Sequence, residues 1–330
     1  MKKKLILVIV LIGITPFLSS AQSKDYDDFG AISICLENDT FIGTDRSFTQ
    51  GIKLGWMSKD LKNYRQKPSL KWLPFVNRDE FQHAFFISLG QAFYTPDDIT
   101  KPELVKDDRP YAGIIYLALG IHSMGPRWME TWEINLGIIG PHAYAEESQK
   151  LIHRVFNGDN PRGWHHQLKD ELALELIYER KWRPLRLQSK KGFGFDLMPH
   201  VGTGLGNLFI YASMGTQIRL GWNLPDDFGP SLIRPGGDRN FGLRRKGPFG
   251  LHLFAGIDGK AIARNIFLDG NTFLESHRVD KKPWTLDLMV GAGMRIGYFN
   301  VSYAYVFWTK RFKTETKEHV FGAVTVSLSY

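Results

Sequence analysis

Cysteine is almost absent: Cys35 stands alone in 330 residues, so neither an intramolecular disulfide framework nor a multi-cysteine zinc site can form. Long apolar runs are equally scarce. Beyond the N-terminal stretch, no segment approaches the roughly 20 consecutive apolar residues that a helical span requires, and mean hydropathy is -0.23. A helical membrane protein is thereby excluded. A β-barrel is untouched by that argument, because its strands hide their apolar face in alternation. Internal repeats, low-complexity tracts and linker-like segments are also missing. With 43% hydrophobic and 13% aromatic residues, the composition supports a sizeable ordered domain and argues against disorder.

The chain opens with a targeting pattern. Lys2, Lys3 and Lys4 precede the apolar stretch Leu5 to Leu18, and Ser19, Ser20 and Ala21 supply the small residues that a signal peptidase needs. A cleaved leader over 1–21 is expected, followed by a single domain over 22–330. Losing those three lysines lowers the formal charge from +8 to +5. For an exported chain, this mild basic excess suits an anionic membrane surface and not nucleic acid.

Downstream, about twelve segments show period-two alternation with aromatic or β-branched enrichment, separated by Gly, Pro, Asn and Asp clusters. They fall at 30–37, 49–58, 81–92, 111–122, 129–138, 170–182, 192–203, 208–222, 248–264, 284–297, 299–309 and 319–330. The last is the clearest: Val324, Val326, Leu328 and Tyr330 share one face, while Ala323, Thr325, Ser327 and Ser329 share the other. Likewise Val301, Tyr303, Tyr305 and Phe307 alternate with Ser302, Ala304, Val306 and Trp308. A lipid-facing stripe opposite a small or polar face predicts an all-β, up-and-down transmembrane β-barrel of antiparallel strands. A soluble β-sandwich is the competing architecture, since it too reads as alternating strands.

With both termini in the periplasm, strand parity sends the connections 38–48, 93–110, 139–169, 204–207, 265–283 and 310–318 outside. The periplasmic connections 59–80 and 223–247 are long for such turns, which weighs against the barrel. A short extracellular loop helix is predicted over 145–156, with Glu146 and Glu147 early, His153 and Arg154 late, and Asn157-Gly158 as a stop.

This topology gathers three polar clusters at one rim. They are Glu37 to Thr40 with Asp45 to Thr49, Lys101 through Asp107-Asp108-Arg109, and His153 with Asp159. Ester hydrolysis needs a base, an orienting group for that base, and donors or positive charge at the developing oxyanion. His153 suits the base, and Asp39 with backbone carbonyls suits a hard cation such as calcium. Each signal also has an ordinary meaning. An exposed loop histidine is commonly plain surface, Asn38-Asp39 is also turn chemistry, and Asp108-Arg109 also reads as a solvated ion pair. His142, His165 and His166 lack ligand spacing and read as surface, and Cys35 reads as a wall residue.

The string Glu37-Asn38-Asp39-Thr40-Phe41, followed by Thr44-Asp45-Arg46 and Thr49-Gln50-Gly51, resembles the outer-membrane lipid A 3'-O-deacylase (LpxR) family. Asp108-Arg109-Pro110-Tyr111-Ala112-Gly113, Glu130-Thr131-Trp132-Glu133, Leu136 to Pro141, His153-Arg154, Gly163-Trp164 and Gln167-Leu168 extend it, most densely over 30–170. The resemblance implies a twelve-stranded barrel in the outer membrane of a Gram-negative bacterium, with a calcium-dependent site facing the outer leaflet. It also implies hydrolysis of the 3'-linked acyl ester of lipid A within lipopolysaccharide. Asn38, Asp39, Thr49, Lys101 and His153 match the family's functional residues, and Asp159 stands where the family can place a glutamate. Two departures are visible: Asp159 is the shorter acid, and the Arg46–Thr49 spacing is shorter than in some members. On this reading Asn38, Thr49, His153 and Asp159 are catalytic, Asp39 binds the metal, and Lys101 and Arg109 meet lipid A phosphates. A membrane-embedded monomer is expected. An outer-membrane phospholipase, with Ser47 or Ser148 as nucleophile, and a non-enzymatic barrel are the rival functions.

Overall fold

The computed structural model describes residues 30–39, 47–61, 81–156, 158–229 and 249–330. The expected leader lies outside the described residues, as does most of the two long periplasmic connections.

Alternation in β6 (Glu171–Trp182) shows why the chain curls into a barrel. Ala173, Glu175, Ile177, Glu179 and Lys181 are buried, whereas Leu172, Leu174 and Leu176 are exposed, Leu172 by 77%. Successive strand side chains point to opposite faces, so one face carries charge and the other leucine. Only a closed wall with lipid outside accommodates both. Around the ring Ile134, Leu136, Met214, Leu253 and Val290 continue the outward apolar belt, and Glu133, Asp196, Arg219, Asp258 and Asp287 are buried inside. In water that belt would be an apolar patch far above the few hundred Å² normal for soluble proteins. A soluble sandwich is thereby overturned.

Thirteen strands form one antiparallel sheet. They are β1 (Ala31–Asn38), β2 (Ser47–Met57), β3 (Gln82–Thr95), β4 (Ala112–Met124), β5 (Trp128–Ile139), β6, β7 (Leu185–Gln188), β8 (Phe193–Gly206), β9 (Phe209–Trp222), β10 (Phe249–Asn265), β11 (Trp284–Ile296), β12 (Phe299–Trp308) and β13 (His319–Ser329). The ring closes at β1 with β13, Ala31 opposite Ser329, and at β6 with β8, Glu175 opposite Gly206. The short β7 pairs only with the start of β8 and stands outside the ring. The barrel is therefore twelve-stranded. Closure leaves its strands no free edge, as a span through hydrocarbon demands.

Two connections at one end carry helices: α1 (Ala145–Phe156) after β5 and α2 (Ile266–Asp269) after β10. The Asn265 side chain accepts from the Phe267 amide and starts α2. Phe267 is fully buried, with its ring 4.3 Å from that of Tyr94 on β3 and 5.7 Å from that of Phe209 on β9. Those strands stand nearly opposite in the ring, so α2 plugs the barrel mouth. Below it the lumen is filled by linked ion pairs: His200 with Asp258 (2.9 Å), Lys260 with Asp258 (3.3 Å) and Asp287 (2.5 Å), and Arg311 with Asp287. At the far end Arg219 joins Asp196 (2.6 Å) and Asp227. Charges inside an otherwise apolar shell persist only when paired in this way.

Loops at the α1 end lock to one another. His277 Nε2 meets the Asp108 carbonyl at 2.7 Å, Thr314 Oγ1 donates to the Asp107 carbonyl at 2.5 Å, and Asn271 Nδ2 donates to the Lys169 carbonyl at 2.8 Å. Sequence-distant polar segments thus share one rim.

Candidate functional site on the outer wall

The helix α1 is held against the outside of the barrel. Gln91 belongs to the same face of β3 as Ile87 and Leu89, which are exposed to lipid. Its amide donates to the Ala143 carbonyl at 2.7 Å and accepts from Ser148 Oγ at 2.9 Å. Gly113 on β4 supplies the seat: a Cβ there would lie 2.2 Å from that of Ala145, so only glycine allows this approach. Phe93, Ile99, Tyr111, Ala145 and Trp164 form a buried cluster between wall and helix, with Ile152 against it. Trp164 Nε1 donates to Gln149 Oε1 at 2.7 Å, and both residues are fully buried or nearly so.

His153 lies one turn beyond Gln149, on the same face of α1, and is 8% exposed. Its Nδ1 bonds the Asp159 main-chain oxygen, and the Gly158 amide donates to the His153 carbonyl at 2.9 Å, closing the helix. A carbonyl can only accept, so Nδ1 carries the proton and Nε2 is the basic nitrogen. Gly158 is needed there because a Cβ would stand 2.9 Å from Nδ1. The Asp159 side chain is exposed, so its backbone, and not its carboxylate, meets the histidine.

The other predicted residues divide across the wall. Asn38, outward on β1 beside Gln50, donates to Gln50 Oε1 at 3.3 Å. Gln50 in turn is opposite Phe93, whose ring is 6.2 Å from that of Trp164. One aromatic contact therefore links the Asn38 end of β1–β2 to α1. Asp39 is fully buried just beyond Asn38. Thr49 is the extra residue of a bulge between Phe48 and Gln50, and its side chain lies outside the described residues. Lys101 is exposed and 3.5 Å from Asp98, whose carboxyl the Thr100 hydrogen bonds hold below its usual value. Its segment abuts the loop beneath α1, because the Ile99 carbonyl accepts from the Arg162 amide at 2.9 Å.

Arg109 goes elsewhere, and this corrects the expected grouping. It is 3% exposed and stacks on Tyr94 at 4.5 Å, inside the barrel mouth. Tyr94 points inward where its neighbour Phe93 points outward, so the wall separates Arg109 from His153. An Arg109 contact to a lipid A phosphate therefore does not belong to the His153 site. His142 pairs with Asp170 at 2.8 Å on the surface, and no three His, Cys, Asp or Glu residues gather as a metal cluster among the described residues. Gly113 and Trp164 stand in the quoted motifs without an assigned role, and Gln91 and Gln149 carry no motif; all four hold the helix in place. Their signal was the alternation that puts Gln91 and Gly113 on a lipid face without apolar side chains.

Fold and site together define an outer-membrane β-barrel carrying a helix-covered polar site on its lipid-facing wall. The chain belongs to the family described as outer membrane protein LpxR, whose model matches residues 5–330. It is similar in fold to LpxR from Salmonella typhimurium, with 21% identity, a TM-score of 0.73, and coverage of 90% of this chain and 99% of that one. The β-domain of the Bordetella autotransporter BrkA aligns at 8% identity and a TM-score of 0.44, covering 93% and 99%. No curated protein sequence matches the chain. Family and fold place it in the outer membrane of a Gram-negative bacterium.

Proposed function

We propose that the chain is a lipid A deacylase that hydrolyses the 3'-linked acyl ester in the outer leaflet. The observation that carries this reading is a buried histidine, oriented by a main-chain carbonyl, on a helix clamped to the lipid-facing side of the wall. An ester group at that height reaches such a site laterally from the bilayer, without entering the lumen. His153 Nε2 takes a proton from water as the oxygen attacks the ester carbonyl. The protonated imidazole then gives that proton to the departing sugar oxygen, releasing a carboxylic acid and a free 3'-hydroxyl. The Asp159 carbonyl acts as a positioning group, because it fixes the tautomer and stabilises the imidazolium. Asn38 and Thr49 would be neutral donors near the oxyanion, and Lys101 would meet a lipid A phosphate as a point charge.

Oxygen donors suit calcium, and the buried Asp39 carboxylate with the Asn38 amide oxygen would hold it. When bound, it would polarise the ester carbonyl and offset oxyanion charge. A serine-nucleophile phospholipase is disfavoured at Ser148, which donates its hydroxyl proton to Gln91 and not to His153. A porin is disfavoured by the filled lumen.

The test uses the mature chain in detergent micelles, given lipid A or phospholipid, with calcium or with EGTA, and mass spectrometry of the products. Loss of one 3'-linked acyl group from lipid A, with calcium alone, is the expected result. Chain loss from phospholipid with lipid A intact would replace this reading by the phospholipase.

A further inference from the structure

On the other side of the wall, the barrel mouth holds a cavity of about 70 Å³ lined by Tyr94, Arg109, Phe209, Lys260, Trp308 and Arg311 among others. By volume that is room for several waters or one small polyatomic ion. It is too small for a long acyl chain. Arg109 is 97% buried there, with Nε shielded and unbonded; among the described residues its side chain makes neither a hydrogen bond nor an ion pair. Among the described residues only the Tyr94 ring, 4.5 Å away, meets its face. Glu175 also lines the cavity and accepts from Asn135 Nδ2 at 3.1 Å, and the other neighbouring acids are engaged as well. Asp108 accepts from the Asp97 and Arg109 amides, each at 2.7 Å, Glu315 accepts from the Arg311 amide, and Asp287 takes Lys260 and Arg311. Burial also pushes the Asp108 and Glu315 carboxyls above their usual range, which weakens them as counter-charges.

A buried guanidinium without a partner is costly, and its planar fork matches the oxygens of a carboxylate or phosphate. Arg311 and Lys260 stand on the same cavity, and its aromatic walls keep the dielectric low, which strengthens any charge contact made there. We propose that the plugged barrel mouth is a binding site for a small oxyanion, phosphate or carboxylate, gripped by the Arg109 fork. The site is separate from the outer-wall site and does not depend on the deacylase reading. Its ligand chemistry has two sources, a free ion or the phosphate of a lipid headgroup reaching over the rim.

The test is calorimetric titration of the full mature chain in micelles with inorganic phosphate or acetate at fixed ionic strength, with folding checked by heat-modifiable gel mobility. Wild type is expected to show saturable binding with one ion per chain. Arg109→Gln should weaken it by at least about tenfold, the value of a charge-assisted hydrogen bond. Arg109→Lys, which keeps the charge and loses the fork, should fall between and also guards against a misfolded Gln variant. Lys106→Gln, on the exposed rim, should bind as wild type. Absence of saturable binding in wild type, equal binding by Arg109→Gln, or loss in Lys106→Gln alone would overturn the site. Competition by phosphorylated but not dephosphorylated lipid A would assign a sustained site to a headgroup; no competition would assign it to the free ion.

Discussion

Phe93 and Tyr94 are adjacent in β3, yet they belong to two different chemical worlds. Outside, Phe93 packs with Trp164 under a helix that carries a buried histidine, in a setting of few charges. Inside, Tyr94 lies under Arg109 at the head of a column of ion pairs. The same division splits one loop: Lys101 stays exposed beside the helix support, and Arg109 turns into the lumen. Polar residues close in sequence therefore need not serve one site. A barrel wall one residue thick decides, by parity, whether a charge meets lipid and substrate or stabilises the interior.

Substitutions on the two sides should separate cleanly. The largest effect is expected from His153→Ala, which should lower turnover by about 10²–10⁴-fold, the usual range for a general base, while the heat-modifiable gel shift of the folded barrel stays as in wild type. Residual activity near wild type would remove His153 from the mechanism. In the lumen, Arg219→Met takes the cation from Asp227 and leaves Asp196 with Arg186 at 3.9 Å alone. This should cost roughly 3–5 kcal/mol in urea unfolding from lipid vesicles, with the folded fraction still active. A variant of unchanged stability but lost activity would show that the lumen and the outer wall are not separate.

Gly113→Val forces a side chain into the seat of Ala145. Overpacking of this kind costs about 1–3 kcal/mol, borne by the α1 contact, so activity should drop about tenfold or more with little change in global unfolding. The smallest effect concerns pH. Burial raises the Glu315 carboxyl above its ordinary value, so its protonated form is the one favoured by folding. Stability from this group is present at low pH and is lost as pH rises through the folded-state value. Glu315→Gln, which cannot ionise, should therefore exceed wild type in stability at neutral pH, and the gap should close on acidification. A gap that widens on acidification would contradict the assignment.

Much of the barrel was legible because alternation is local. The segment 299–309 forms β12 to within a residue, and the acids-early, bases-late stretch 145–156 forms α1 with those bounds. Other features left no periodic trace. Four residues cannot show a helical period, so α2 was read only as part of a long connection. The bulge at Thr49 depends on register with β3, and the small strand β7 depends on the extension of β8. Which side of the wall a loop helix lands on was also hidden, since it rests on one missing Cβ at Gly113 and a side-chain bond from Gln91. The inward turn of Arg109 is hidden for the same reason: its direction is set by stacking on an inward tyrosine, a contact that sequence spacing does not encode.

Ester chemistry on the lipid-facing wall at His153 stands or falls on one comparison. Mass spectrometry of lipid A from outer membranes carrying wild type or His153→Ala, each with calcium and with chelator, tests it most directly. Loss of the 3'-linked acyl mass is expected with wild type and calcium, and an intact lipid in the other three conditions. Equal deacylation by His153→Ala and wild type would contradict it.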